Sequence, residues 1–271
     1  MPGESTLRIV HVYPTVLGLY GDRGNALVLR SRAERRDLPA EIVSIEPGEP
    51  VPAGGDIYLL GGGEDLAQTT AAELLRADDT MRQVIEANGV VLAVCAGMQI
   101  LGHQFRAARG LVPGLGLLDV TTDAGATRAV GELLVAPDEA SFGLPALTGY
   151  ENHRGRTTLG PHARPLGRVD HGVGNGDGTE GVVQRRVVGT YLHGPALARN
   201  PALADLLLGW VIGHAPAPLA DPTAVALRKE RLLTVRSRPA ASSPENRTMS
   251  RPATVARLRI RFRSRDSDPG A

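Results

Sequence analysis

The 271-residue chain has one cysteine, Cys95, and one lysine, Lys229. A single thiol excludes an internal disulfide and a cysteine-rich zinc site. With no oxidative scaffold to maintain, a reducing compartment is the expected home. No run approaches the roughly 18–20 apolar residues of a membrane helix. The opening "MPGESTLRIVHVYP" has neither the basic start nor the apolar core of a signal peptide. A soluble, cytoplasmic chain with no stable membrane insertion is therefore expected. A G-x-x-x-x-G-K-[ST] phosphate loop is also missing, which excludes one common means of binding ATP. The net charge of +1 is unevenly spread: residues 1–235 hold 21 Lys+Arg against 26 Asp+Glu, and residues 236–271 hold 9 Arg against 3 acids. The body is mildly acidic and carries no nucleic-acid footprint.

What is present alternates. "LRIVHVYP" (7–14), "AEIVSIEP" (40–47), "GDIYLLGGG" (55–63) and "VVLAV" (90–94) read as short buried strands. The stretches 25–37, 65–89 (broken near Asp78) and 97–105 have helical spacing. Strand alternating with helix predicts an α/β fold, a doubly wound, mostly parallel sheet with flanking helices. From about 111 to 192 the chain turns strand-rich, and 201–214 reads as a closing helix. Residues 1–235 are expected to form one domain. Residues 236–271, rich in Pro, Ser and Arg, are expected to be a basic, disordered tail, with 253–263 able to form a transient basic element on a partner or membrane surface.

In a doubly wound sheet, sites lie beyond the carboxyl ends of the strands. Cys95 and Gly61-Gly62-Gly63 both fall there. "Ala93-Val94-Cys95-Ala96-Gly97" has the small residues that a strand–nucleophile–helix turn requires, and the free N–H groups at the helix start favour a thiolate. The plain alternative is a cysteine buried as a small hydrophobe. A thiol nucleophile needs a base, and among seven histidines His193, in "VVGTYLHGPAL", follows a strand and precedes a helix. His103 is expected two turns along the helix after Cys95, pointing away, and His153 in a loop, "GYENHRGR". The remaining four read as packed or solvated.

These residues resemble the class I (triad) glutamine amidotransferases. "VCAGMQILG" matches their C-x-G-x-Q elbow at Cys95, Gly97 and Gln99, "GGGEDLAQ" (61–68) their Gly-rich oxyanion loop, and "GTYLHGP" (189–195) their histidine strand. His193 is followed by Gly194-Pro195 rather than Pro-Glu, the form of the cobyric acid synthase-like branch, so the third member of a triad is open; Glu151 is one candidate. "YGDRGNALVLRSRAERR" and "GYENHRGRTTLG" are similar to the GatD family, the glutaminase subunits of lipid II isoglutaminyl synthase. Arg128, in "GATRAVGELL", falls where that family carries a substrate-orienting arginine.

The resemblance implies that Cys95 attacks the side-chain amide of L-glutamine and His193 protonates the departing ammonia, with the oxyanion held by N–H groups of Gly62 or Gly63 and of Ala96. It implies Gln99 and Arg128 as substrate contacts, no metal and no cofactor. It also implies a Mur-ligase-like partner, MurT, that binds ATP and lipid II and amidates the D-glutamate α-carboxyl to D-isoglutamine. Three other readings stand beside it: an amidotransferase for another acceptor such as a cobyrinate-type corrinoid, a non-catalytic module on the same fold, and a cysteine peptidase. "YGDRGN" reads either as a partner contact or ammonia exit, or as a turn with Asp22 or Asn25 capping a helix.

Overall fold

Runs of β-branched and aliphatic residues too short for helices set the strands. The computed structural model describes residues 6–18, 21–137 and 143–236. In chain order the strands are β1 (Leu7–Val12), β2 (Ala40–Ile45), β3 (Ile57–Leu60), β4 (Val90–Val94), β5 (Gln104–Ala107) and β6 (Gly110–Pro113). They continue as β7 (Val120–Pro137), β8 (Leu147–Leu159), β9 (Gly167–His171), β10 (Thr179–Glu180), β11 (Val182–Gln184) and β12 (Val187–Thr190). The helices are α1 (Arg23–Glu34), α2 (Asp65–Ala77), α3 (Thr80–Glu86), α4 (Ala96–Leu101), α5 (Ala196–Arg199), α6 (Pro201–Ile212) and α7 (Pro222–Arg236).

The main sheet runs β11-β12-β4-β3-β1-β2, parallel throughout except for the edge strand β11. Every residue of β3 and β4 is buried, as strands covered on both faces require. This is the mostly parallel α/β sheet expected from the alternating pattern. The strand-rich middle of the chain builds a second sheet, β10-β9-β7-β5-β6 with β8 beside β7, held largely by antiparallel pairing. The long β7–β8 ribbon shifts register between Ala124 and Ala129, where Arg128 lies.

Local chemistry explains the helix boundaries. The break expected near Asp78 is real: its carboxylate accepts from the Thr80 N–H at 2.9 Å and the Val51 N–H at 2.8 Å, which ends α2 and starts α3. Pro201 opens α6, and Gly213, at φ 83°, closes it in the left-handed region. Arg32 on α1 makes a two-pronged contact with Asp205 on α6, at 2.8 and 2.6 Å, fastening those helices together.

Two expectations are corrected. The helix read over 97–105 stops at Leu101. A Cβ on Gly102 would sit 2.8 Å from the Val120 carbonyl, and the chain crosses to the second sheet as β5. His103 therefore lies off the helix, largely exposed and 3.0 Å from Asp119. "GYENHRGR" is not a loop but part of β8, whose inward residues Glu151, His153, Gly155 and Thr157 are buried at period two. The expectations for 237–271 lie outside the described residues.

Candidate active site

β4 ends at Val94, and Cys95 takes φ 51°, ψ −103° before α4 begins. A non-glycine residue held there is strained, and strain of this kind is kept where the surroundings force it. Three contacts do so here. The Cys95 N–H donates to the Thr190 carbonyl at 2.8 Å, its carbonyl accepts from Gln99 N–H at 3.1 Å, and Gly97 N–H donates to the Gly61 carbonyl at 3.1 Å. A Cβ on Gly97 would lie 2.7 Å from the Leu60 carbonyl, so the elbow needs glycine there.

The same contacts locate the histidine. β12 runs parallel to β4 with Thr190 opposite Val94, so the two strands end side by side. His193 follows three residues beyond Thr190, fixed by paired backbone bonds with Tyr150 at 2.8 and 3.1 Å. Cys95 and the segment that leads to His193 thus leave adjacent strand ends of the sheet. Both side chains are buried. Burial, with the Asp22 carboxylate second, pushes the Cys95 thiol up to about 12; the Ala96 N–H and the Arg128 guanidinium pull the other way. Burial, with His153 second, pushes the His193 imidazole down to about 4. Both groups are neutral near pH 7.

Cys95 opens into a polar cavity of about 270 Å³ lined by Gly63, Glu64, Gln68, Gln99, Arg128, Asn152 and His153 among others. His193 is not in that lining. Arg128 reaches over the cavity from the β7 register shift, its Nε donating to Asn152 Oδ1 at 2.6 Å. Gln99 is held at both ends of its amide: Oε1 accepts from Gln68 Nε2 at 2.7 Å and Nε2 donates to the Tyr191 hydroxyl at 3.0 Å. The Tyr191 hydroxyl lies 2.7 Å from Thr157 Oγ1, which lies 2.9 Å from Thr122 Oγ1, completing a buried polar chain under the cavity floor.

The two loop glycines differ. The Gly62 N–H donates to Asp22 Oδ2 at 2.7 Å, whereas the Gly63 N–H has no partner among the described residues. Of the two, Gly63 is the one that lines the cavity. Asp22 stands at the head of α1 without capping it, and Asn25 Oδ1 accepts from the Leu197 N–H at 2.9 Å. The helix-cap reading of "YGDRGN" is thereby corrected, because both side chains reach across the fold instead. Glu151 lies 3.2 Å from His153 Nε2 and accepts from the N–H groups of Val173 and Gly174 at 2.8 and 3.0 Å.

Sequence reasoning missed Asp22's reach, His153, Asn152 and Tyr191. Among the described residues no group of three or more His, Cys, Asp or Glu is arranged to hold a metal, and no helix is long and apolar enough to cross a membrane.

Residues 8–201 match the model of the CobB/CobQ-like glutamine amidotransferase domain. The chain belongs to that family. This amidotransferase chain is 36% identical over 207 residues to the lipid II isoglutaminyl synthase (glutamine-hydrolyzing) subunit GatD of Staphylococcus aureus (strain N315), covering 74% of this chain and 83% of that one. It is 33% identical over 183 residues to the cobyric acid synthase of Sphingopyxis alaskensis, but spans only 35% of that longer protein. Among solved structures, a crystal structure of a glutamine amidotransferase superposes with a TM-score of 0.50 at 22% identity, over 74% of this chain and 98% of that one. The fold of that structure is shared.

Proposed function

We propose that this chain is a glutaminase subunit that hydrolyses L-glutamine to glutamate and ammonia and passes the ammonia to an ATP-dependent, Mur-ligase-like partner of the MurT kind. In this reading the partner amidates the D-glutamate α-carboxyl of lipid II to D-isoglutamine, in the cytoplasm. The observation that carries it is Cys95, held in a strained elbow at the head of α4 and opening into a small polar cavity with Gly63 and Arg128 on its walls. The relation to GatD across 83% of that subunit supports the acceptor. The match to the cobyric acid synthase relative covers 35% of that protein, against 83% of GatD.

The Cys95 proton passes to His193, and the sulfur adds to the glutamine side-chain carbonyl carbon. The tetrahedral oxyanion is met by the N–H groups of Gly63 and Ala96; loss of one such donor typically costs about 2.7–4 kcal/mol of barrier. The carbon–nitrogen bond breaks as protonated His193 returns its proton to the leaving ammonia, leaving a thioester. His193 then takes a proton from water, the resulting hydroxide displaces the sulfur, and that proton restores the thiol. Arg128 pairs with the α-carboxylate of glutamine. Gln99, with its amide already engaged below, shapes the cavity floor. Residues 1–235 are the glutaminase domain and 236–271 an appended basic segment.

Burial favours the neutral thiol of Cys95 and the neutral imidazole of His193 in the isolated chain. The test is ammonia release from glutamine by the chain co-purified with a Mur-ligase-like protein, alongside Cys95→Ala and His193→Ala, with lipid II amidation followed by mass. Loss of ammonia in both variants supports the reading. Equal, background release by all three in the partner's presence sinks it, and amidation of a corrinoid but not of lipid II would replace the acceptor.

A further inference from the structure

Residues 21–25 contact both the glycine loop and the loop after His193. Asp22 is 2% exposed and accepts from the Gly62 N–H at 2.7 Å. The approach is close enough that a Cβ on Gly61 would lie 2.8 Å from Asp22 Oδ2 and 1.8 Å from the Leu17 carbonyl. Gly61 in turn accepts from the Gly97 N–H, two residues past Cys95. On the other side, Asn25 Oδ1 accepts from the Leu197 N–H, and a Cβ on Gly24 would strike the Pro195 ring at 2.2 Å. The turn therefore touches the glycine loop and the loop after His193 at once.

We propose that Asp22 is a positioning residue: its buried carboxylate fixes the Gly62 amide away from the cavity and sets the electrostatic surroundings in which Cys95 ionises. This rests on the reading of Cys95 as the nucleophile. With its N–H committed to Asp22, Gly62 orients the next peptide, leaving the Gly63 N–H toward the cavity. The same carboxylate is a negative charge beside a sulfur that must itself become negative, and like charges disfavour the second ionisation. Other groups act on Cys95 as well. Glu64 opposes the thiolate, while Arg128 and the Ala96 N–H favour it. Asp22 is the largest of the charged influences. Its own carboxyl is pushed up to about 6 by burial, with only the Gly62 N–H working against that. A shift of the 21–25 turn on partner binding would therefore act on the glycine loop and the thiol together.

The chain's single cysteine gives a clean readout, since one alkylation reports Cys95 alone. The full chain and Asp22→Asn are treated with iodoacetamide at pH 8, and the mass shift is followed in time. Asparagine keeps an oxygen for the Gly62 N–H and removes the charge, so alkylation should run several-fold faster as the thiolate becomes less disfavoured. Asp22→Ala should also raise hydrogen exchange at the Gly62 amide, which Asp22→Asn should leave slow. Identical alkylation rates in wild type and a folded Asp22→Asn overturn the proposal. If Asp22→Asn does not fold, the wild-type Gly62 amide decides: exchange as slow as the β3 core supports the contact, and exchange at the free-peptide rate overturns it. Alkylation needs neither glutamine nor partner. A wild-type complex that leaves glutamine intact therefore counts against the proposed function, and equal alkylation rates count against Asp22.

Discussion

His153 and Tyr191 lie face to face, ring centroids 3.7 Å apart and planes 9° from parallel. The stack joins β8 of the second sheet to the segment leaving β12, two residues before His193. His153 is fixed beneath it by Glu151 and by the Gly155 carbonyl at 3.1 Å from Nδ1. Tyr191 is fixed by Gln99 and Thr157. The segment that delivers His193 is therefore held by a polar network that crosses between the two sheets.

Removing the hydroxyl alone, in Tyr191→Phe, keeps the stack and leaves the buried Gln99 Nε2 and Thr157 Oγ1 each short of a partner. A buried polar group so orphaned costs about 1–3 kcal/mol. The urea midpoint should fall accordingly with the slope unchanged. An unaltered midpoint would show that the hydroxyl contributes nothing to the network.

Gly61→Ala places a methyl 1.8 Å from the Leu17 carbonyl, and the backbone cannot retreat without giving up the Gly97 contact. Overpacking of this kind typically costs 1–3 kcal/mol, and about 3 is expected here. Gly54→Ala, whose nearest neighbour would be 3.6 Å away, is the control and should change little. Thermal unfolding of both variants is the check.

His193 and Glu180 should give stability slopes of opposite sign. The His193 imidazole falls from 6.5 to about 4 on folding, so the unfolded chain takes up its proton first, and stability present above pH 6.5 is lost as pH falls toward 4. Glu180 is fully buried and rises from 4.5 to about 7, so stability present below pH 4.5 is lost as pH rises through 7. Each amounts to roughly 3 kcal/mol when complete. The wild-type advantage over His193→Gln should shrink from pH 7 to pH 4. Relative to Glu180→Gln, wild type should lose ground from pH 4.5 to pH 8. Denaturant unfolding across pH measures both, and parallel curves would refute the assignment.

Arg128→Lys keeps the charge but loses the planar two-pronged grip on a carboxylate. In the partner complex KM for glutamine should rise about tenfold, a loss of roughly 1.4 kcal/mol of binding, with kcat little changed. A fall in kcat at constant KM would instead give Arg128 a role in the chemical step.

The elbow was legible because it depends on neighbours in sequence: five buried residues of β4, then Cys95, then the small residues that let α4 start. The Gly61–Gly63 loop after β3 and the position of His193 just beyond β12 were legible for the same reason. The strand-rich character around β8 was legible, but its continuity through "GYENHRGR" was not, because its inward face there is polar, and hydrophobic alternation is what marks a half-buried strand. The contact that Asp22 makes was not legible either. At the start of a helix it looks like a cap, and only the approach of residues 61–62, forty positions away, makes its carboxylate an acceptor for a loop amide.

By itself the sequence determined the local conformations: which segments extend, where they turn, and that a lone thiol stands at a strand end, since these follow from side-chain shape and from burial periods of two and 3.6. Tertiary structure alone decided which groups share an environment. Burial moved the thiol and the imidazole in opposite directions, a carboxylate on one loop took the amide of another, and the cavity gathered Arg128 and His153 to the cysteine. These outcomes depend on distance and dielectric between residues far apart in the chain, and no local pattern encodes either.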